Sequence, residues 1–524
     1  MRMFRFFGFL ALLATLAACG GRGGGQWNTE YGNATSATPA QLQYGGQFST
    51  SDNSNHKIAV LLPMTGTNAT AGKSIQTGIE MAILQRAPEN LDVAFFDTAV
   101  DANSAIYSAL DYGPEIIIGP MFAANARILR DAKPGYLPVL SFTSDATAIG
   151  DGVMTMALMP TNSIELIVRE MANDGTRNMI AVAPDTQSGY LMAGAALAAA
   201  REHGVQLNGI FYYTERDTES IKNAMYAASM NAARTTANTR AREILSDILT
   251  TETITAVERS NMSRQLRALS KTDVAGKLPY DAVLFLGGGD DTKSLASFLR
   301  YYSVGAREVK FYGTAMWDGS DIANDLTMTG AKFAALPDMN TGFTSVYTMA
   351  SDAPANRLAT FGYDATNMAI GMIYSSVGPA EYLMNPSGYV GMDGLVRIIS
   401  GGESQRGLRI LEIDGNGGTR TVRSAPTNFM TPIYNLRSRD ISPTAAIALQ
   451  SSGISGAAAI DIPSRFRTKY RGGTARKSVT TPTQQNVVTV INDDTGPAIE
   501  NPNYIPAVRE SIGRKYIDSV EIYE

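Results

Sequence analysis

The stretch Lys57 to Gly78, KIAVLLPMTGTNATAGKSIQTG, constrains the fold more than any other. Ile58 to Leu62 is an unbroken apolar run, stopped by Pro63 and Gly66. A strand with one wet face alternates apolar and polar residues. A run with no polar member predicts a strand covered on both faces, as in a parallel sheet flanked by helices. The small, hydroxyl-rich loop Thr65 to Thr70 comes next, and then a helix whose free N–H groups and partial positive charge face that loop. In open parallel sheets ligands lie outside the carboxyl ends of the strands. The same stretch therefore predicts an α/β fold and the side on which a ligand would sit.

Gly66 to Ser74, GTNATAGKS, imitates a nucleotide-binding P-loop. It holds five residues between the first glycine and Gly-Lys-Ser, where a phosphate cradle needs four. The extra residue changes the curl of the loop, and the plain strand–loop–helix reading stands.

Strand-like runs recur at Val93 to Phe96, Ile116 to Ile118, Val139 to Phe142 and Val153 to Met156, with helical stretches between most of them. That rhythm fits βαβ units. A second series begins past Pro160: a helix to Ala172, strand Met179 to Ala183, helix Gly189 to Glu202, strand Gly209 to Tyr213, strand Ala282 to Leu286, helix Thr292 to Tyr301 and strand Val309 to Tyr312. The fold class expected is α/β, with two doubly wound parallel-sheet lobes in tandem. The gap between Tyr213 and Ala282 is too long for one crossover. Residues 217–277 are rich in Ala, Arg, Met, Leu and Glu and read as a helical insertion on the second lobe. It is either an elaborated crossover or an arm for docking a partner. Further on come Lys332 to Ala335, a helix Ala353 to Ser375, Leu395 to Ile399 and a ribbon from Leu408 to Ser424 turning at Asp414-Gly415-Asn416-Gly417.

The ends differ in character. Arg2 and Arg5 precede an apolar core, Phe6 to Leu16, too short for a spanning helix. Leu16-Ala17-Ala18-Cys19 then has the form of a lipobox, and Met1 to Cys19 is expected to be a lipoprotein signal peptide. Cys19 is the one cysteine of the chain. Lipidated there, the protein would be held to a membrane by several acyl chains. Residue 20 is Gly, not Asp, and the resemblance to Gram-negative lipoproteins then implies the outer membrane over the inner one. Residues 20–56 read as a flexible Gly/Ser/Thr/Asn-rich linker, and residues 437–524 as a mostly disordered tail. Within that tail Arg465, Arg467, Lys469, Arg471, Arg476 and Lys477 surround Phe466 and Tyr470. This cluster is either a solvated run or a contact for anionic lipid or cell-wall polymer.

His56 and His203 are the only histidines. One is expected at the end of the linker and one near a helix end, both solvated. So few histidines, with a single cysteine, argue against a histidine-dependent triad or a zinc site, and no metal or cofactor is expected. A net charge of −5 without a basic bias argues against a nucleic-acid partner.

Three segments, IAVLLPMTGTNATAGKSIQTGIEMAI, IIIGPMFAANARIL and PVLSFTSDATA, together with YDAVLFLGGGDD, FYGTAMWDG, RLATFGYDATNMAIGMIY and GMDGLVRIISGGESQRGLRILEIDGNG, resemble the type I periplasmic-binding-protein fold of leucine-binding proteins. The closer resemblance is to the penicillin-binding-protein activator lipoproteins, which combine that fold with a lipid anchor. It covers roughly Lys57 to Leu436. It implies two lobes joined by three crossing segments: 57–159 with 333–403, and 160–332 with 404–436. It implies a non-enzymatic activator of a bifunctional penicillin-binding protein, on the periplasmic face of the outer membrane. The alternative is a solute-binding protein handing an amino acid or small amide to an ABC transporter. On the binding-protein pattern Thr65, Ser141, Thr143, Ser144 and Thr147, with N–H groups near Gly119 and Met121, would take a ligand's carboxylate. Asp318 or Asp185 would take its ammonium, with Tyr190 as a wall. None of these forms a nucleophile–base pair.

Overall fold

The computed structural model describes residues 39–41, 54–86, 89–305, 308–429, 438–451 and 453–471, all in one compact unit. Cys19 and its signal peptide, and the basic residues Arg476 and Lys477, lie outside the described residues. The first described strand is β1 (Ala40–Gln41), and β2 (His56–Leu62) contains the apolar run. Side chains of β2 alternate between two cores. Ile58, Val60 and Leu62 face one, Ala59 and Leu61 the other. With both faces covered, neither can carry a polar residue.

Around β2 lie β3 (Leu91–Asp97), β4 (Ile116–Ile118), β5 (Val139–Ser141) and β6 (Val153–Thr155), all parallel, in the order β3-β2-β4-β5-β6. Helices α1 (Ala69–Arg86), α2 (Ala102–Asp111) and α3 (Ala123–Ala132) make the crossovers. Gly72 and Lys73 already lie inside α1, so the chain has no phosphate-cradling loop there. After α4 (Pro160–Asn173) a second parallel set begins: β7 (Asn178–Pro184), β8 (Gln206–Tyr213), β9 (Ala282–Phe285), β10 (Lys310–Gly313) and β11 (Lys332–Ala335). A small sheet of β12 (Tyr389–Gly391), β13 (Gly394–Ile398) and β14 (Ser404–Arg406) has β1 along its edge. Antiparallel β15 (Arg409–Ile413) and β16 (Thr419–Arg423) complete the second sheet, ordered β16-β15-β11-β10-β9-β7-β8. Its strands also feed two cores: Ile180 and Val182 face one, Met179 and Ala181 the other. Two large, mainly parallel sheets in an α/β architecture are as the residues predict; the small third sheet and the antiparallel β15 and β16 are additions to it.

Second-sheet helices are α5 (Gln187–Glu202), α6 (Thr218–Ala228), α7 (Asn231–Thr251), α8 (Ala256–Leu269) and α9 (Gly289–Tyr301). The later helices are α10 (Thr341–Ser351), α11 (Arg357–Ile373), α12 (Pro379–Leu383) and α13 (Ser464–Arg471). Helix α11 returns to the first lobe, where Tyr363 donates to Gln85 at 2.5 Å and Asn356 to Ser74 at 2.9 Å.

Several expectations shift. Strand β11 pairs with β10 and β15, so it belongs to the second lobe and the return to the first begins after Ala335. Strand β14 pairs with β13, so the last crossing falls between Arg406 and Arg409 rather than at 404. The helix expected from Ala353 starts at Arg357, because Asn356 caps it by accepting from the N–H groups of Leu358 and Ala359. Part of the expected linker is ordered: Ala40 and Gln41 pair with Tyr389 and Val390. Neither histidine is solvated. His56 Nδ1 lies 2.8 Å from Glu115 with the ring edge-on to Tyr374, and His203 Nε2 lies 3.0 Å from Glu165.

The largest correction concerns the tail. Residues 438–451 and 453–471 do not trail away. Ile447 bridges to Ile210 in β8, and Ile460, Ile462, Phe466 and Tyr470 enter a core made with Ala241, Ile244, Leu245, Ile248 and Met262 of α7 and α8. The Ser/Thr/Gly-rich composition hid a sparse but regular set of apolar anchors. Within the basic cluster, Arg465 pairs with Glu258 and Lys469 with Glu252. Removing the Phe466 ring takes away the centre of this contact. Phe466→Ala is expected to cost ~3 kcal/mol and to speed amide hydrogen exchange in α7 and α8 while leaving the strands of the first sheet protected.

Candidate functional site between the lobes

Three segments cross between the lobes and are tied to one another. Between β6 and α4, Met156 O accepts from Arg406 Nη2 at 2.5 Å, and in the first turn of α4 Asn162 Oδ1 accepts from the Arg406 backbone N–H at 2.7 Å. Between β11 and α10, Asp338 takes both terminal nitrogens of Arg409, at 2.7 and 3.0 Å. The third crossing, from β14 to β15, supplies both arginines. Charge-assisted and bidentate bonds of this kind fix orientation as well as adding energy.

On the first-lobe side β2, β4 and β5 are neighbours, so Thr65, Gly119, Met121, Ser141 and Thr143 come together along one sheet edge. Their polar atoms mostly serve local turns. Thr65 Oγ1 donates to Asp97 at 2.6 Å, and the Met64 N–H donates to the same carboxylate. Burial works to raise the Asp97 pKa, but these bonds and one from the Ala99 N–H outweigh it and hold the carboxyl below its usual range. Ser141 Oγ donates to Pro120 O at 2.9 Å and accepts from the Thr143 N–H. Gly119 has φ +93°, and a Cβ there would stand 2.1 Å from Leu61 O, so only glycine fits. Met121 is half-buried against the core, Ser144 is exposed, and Thr147 donates to Asp145 at 2.7 Å while accepting from Arg127.

In the second lobe Asp185 follows β7 and Asp318 follows β10, both at the carboxyl edge of that sheet. Asp185 accepts from the Tyr190 hydroxyl, which burial and this carboxylate push up to about 12. Asp318 is engaged from the opposite lobe: Arg357 Nη2, at the start of α11, lies 3.5 Å away. The same guanidinium donates through Nη1 to Asp393 at 2.7 Å, and that carboxylate is 0 % exposed. Thr360 donates to Asp393 from the next turn of α11. A cation from the first lobe thus occupies the carboxylate expected to hold a ligand's ammonium.

Behind this bridge lies a second buried acid. Asp364 accepts from the Met392 N–H at 3.0 Å. Burial raises its pKa to about 7, Asp393 adding to the rise and Arg406 opposing it. Arg406 is itself buried, lies 4.0 Å over the Phe361 ring, and leaves Nε and Nη1 without a hydrogen-bond partner. A carboxyl with a raised native pKa binds extra protons when folded, so its contribution is greatest below the unfolded value of ~4 and declines as the pH rises. For Asp364 that decline runs from the unfolded value through about 7. Asp364→Asn, which never ionises, is expected to gain on the wild type in urea-unfolding free energy across that window.

Arg357, Asp393, Asp364 and Arg406 were within the segments that carry the resemblance but had no expected role. One feature of the sequence marks Arg357: a cation in the first turn of a helix opposes the helix dipole and calls for a compensating acid.

Residues 24–271 match the family model described as LppC putative lipoprotein. The chain is 28% identical over 198 residues to the penicillin-binding protein activator LpoA of Mannheimia succiniciproducens, covering 36% of this chain and 34% of that protein. It is 27% identical over 177 residues to LpoA of Haemophilus influenzae, covering 32% and 30%. The aligned part is thus about a third of these relatives' length. Among solved structures, full-length LpoA of Haemophilus influenzae superposes with a TM-score of 0.50 at 17% identity, covering 72% of this chain and 60% of that one. A putative branched-chain amino acid ABC transporter protein of Rhodospirillum rubrum gives 0.51 at 16% identity, covering 70% and 99%. The type I periplasmic-binding-protein fold and the resemblance to the activator lipoproteins are both borne out.

Proposed function

We propose that this chain, with its LppC-like residues 24–271, is a lipid-anchored periplasmic protein that activates a penicillin-binding peptidoglycan synthase and catalyses nothing itself. The observation that carries the reading is the match to LppC together with the LpoA relatives. Lipidation at Cys19 would hold it at the outer membrane. Ligand capture by Thr65, Gly119, Met121, Ser141, Thr143, Ser144, Thr147, Asp185, Tyr190 and Asp318 is the second reading, and the fold shared with the Rhodospirillum protein favours it. Against it, Asp318 already faces Arg357, and the hydroxyls of Thr65, Ser141 and Thr147 are spent on neighbouring turns.

A pulldown with a purified bifunctional penicillin-binding protein, run beside a thermal-shift screen of the common amino acids, separates the two. A specific ligand at a hundred times its Kd would stabilise the fold by ~2.7 kcal/mol. The activator reading expects the synthase to be retained and no amino acid to shift the melting temperature. The reverse pattern overturns it.

A further inference from the structure

Helix α6 alone serves the crossover from β8 to β9: its Ile221, Met225 and Ala228 enter the second-lobe core. Helices α7 and α8 are surplus to it and share their own core with α13. Helix α13 also takes up acids. Arg465 reaches both oxygens of Glu258 at 2.7 Å, Lys469 pairs with Glu252, and the Tyr470 hydroxyl donates to Asp247. Those acids no longer balance the arginines of the same helices. On α8, Arg264 and Arg267 are three apart and Lys271 follows four later, just past the helix end, which lines them along one face.

All three are exposed, and none makes an ion pair among the described residues. Arg264 donates to Asn261 at 2.7 Å and Arg267 to Ser263 O at 3.3 Å, both within α8. Small residues, Ala268 and Ser270, stand between them, so a partner could approach the helix closely. The opposite side of α8, with Met262, Leu266 and Leu269, is turned into the core. It is not free to enter acyl chains, as the apolar face of a membrane-surface helix must be. Exposed arginine that makes no ion pair of its own is suited to protein interfaces, where arginine is enriched and forms bidentate pairs with carboxylates.

We propose that Arg264, Arg267 and Lys271 form a docking face for the acidic surface of a partner protein. Resting on the activator reading, that partner is the synthase. Lipid binding and self-association are the competing uses of such a face.

The test is the triple variant R264E/R267E/K271E of the full chain, with the likewise exposed Arg201→Glu as a control. Affinity is measured for a purified bifunctional penicillin-binding protein at two salt concentrations, beside phosphatidylglycerol vesicles and sedimentation. Expected are salt-sensitive binding by the wild type, a loss of about tenfold or more in the triple variant, and none in the control. An unchanged melting temperature shows that the variant is folded; should it fall, R264Q/R267Q reads the same contact with a loss of about threefold. Equal binding by wild type and variant overturns the docking face and leaves the activator reading standing. No binding by the wild type overturns both. Loss of vesicle binding or of self-association alone, with the synthase still bound, assigns the face to lipid or to a second copy and overturns the proposal.

Discussion

Replacing Arg357 by methionine is expected to lower the unfolding free energy by ~3 kcal/mol and to let the lobes move apart. The cost arises mainly at Asp393. That carboxylate is fully enclosed and receives the guanidinium at 2.7 Å, with Thr360 as its other side-chain partner. With the cation gone, the enclosed charge keeps only one hydroxyl partner and the attraction of the buried Arg406. Losing its paired guanidinium while enclosed is costly. The lobe separation arises at Asp318, where the link from α11 across to the second lobe is lost. A double variant, R357M/D393N, tests the cause, because removing the orphaned charge as well should recover most of the stability without restoring the link. Denaturant midpoints read the first effect and the radius of gyration in solution reads the second. A single variant as stable and as compact as the wild type would show that the bridge holds nothing.

The second large effect is expected where α1 and α11 cross. A Cβ at Gly78 would stand 2.0 Å from Ala359 O, and one at Gly362 would stand 2.5 Å from Ile75 O. Backbone meets backbone on both sides, so neither neighbour can swing away as a side chain would. Gly78→Ala should therefore cost ~3 kcal/mol even though alanine is the better helix former. Because the two helices join residues far apart in the sequence, the loss should appear as cooperative weakening of the first lobe, read by its hydrogen-exchange protection. A rise in stability, as helix propensity alone predicts, would contradict the close crossing.

How legible these features were in the sequence depends on the distance over which each is decided. The apolar run of β2 answers to its own two faces, and the strand stands where the run does. The same holds for β7, whose residues alternate between cores as a doubly covered strand must. Boundaries set by pairing were less legible. Lys332–Ala335 carries nothing that says which sheet it joins, and only its partners β10 and β15 decide it. The tail misled because composition averages over many polar residues, whereas the packing rests on Ile460, Ile462, Phe466 and Tyr470. At the cleft, the hydroxyl-rich tips were found, but hydroxyls serve turns as readily as ligands. What the tips do was fixed within the loop by Asp145, and by Asp97 and Arg357, which come from other parts of the chain.

The activator account meets its most direct test in the synthesis rate of a purified bifunctional penicillin-binding protein, followed on lipid-linked precursor with and without this protein. A rise in cross-linked product that saturates with added protein is the result expected. An unchanged rate at saturating, demonstrably bound protein would contradict the account.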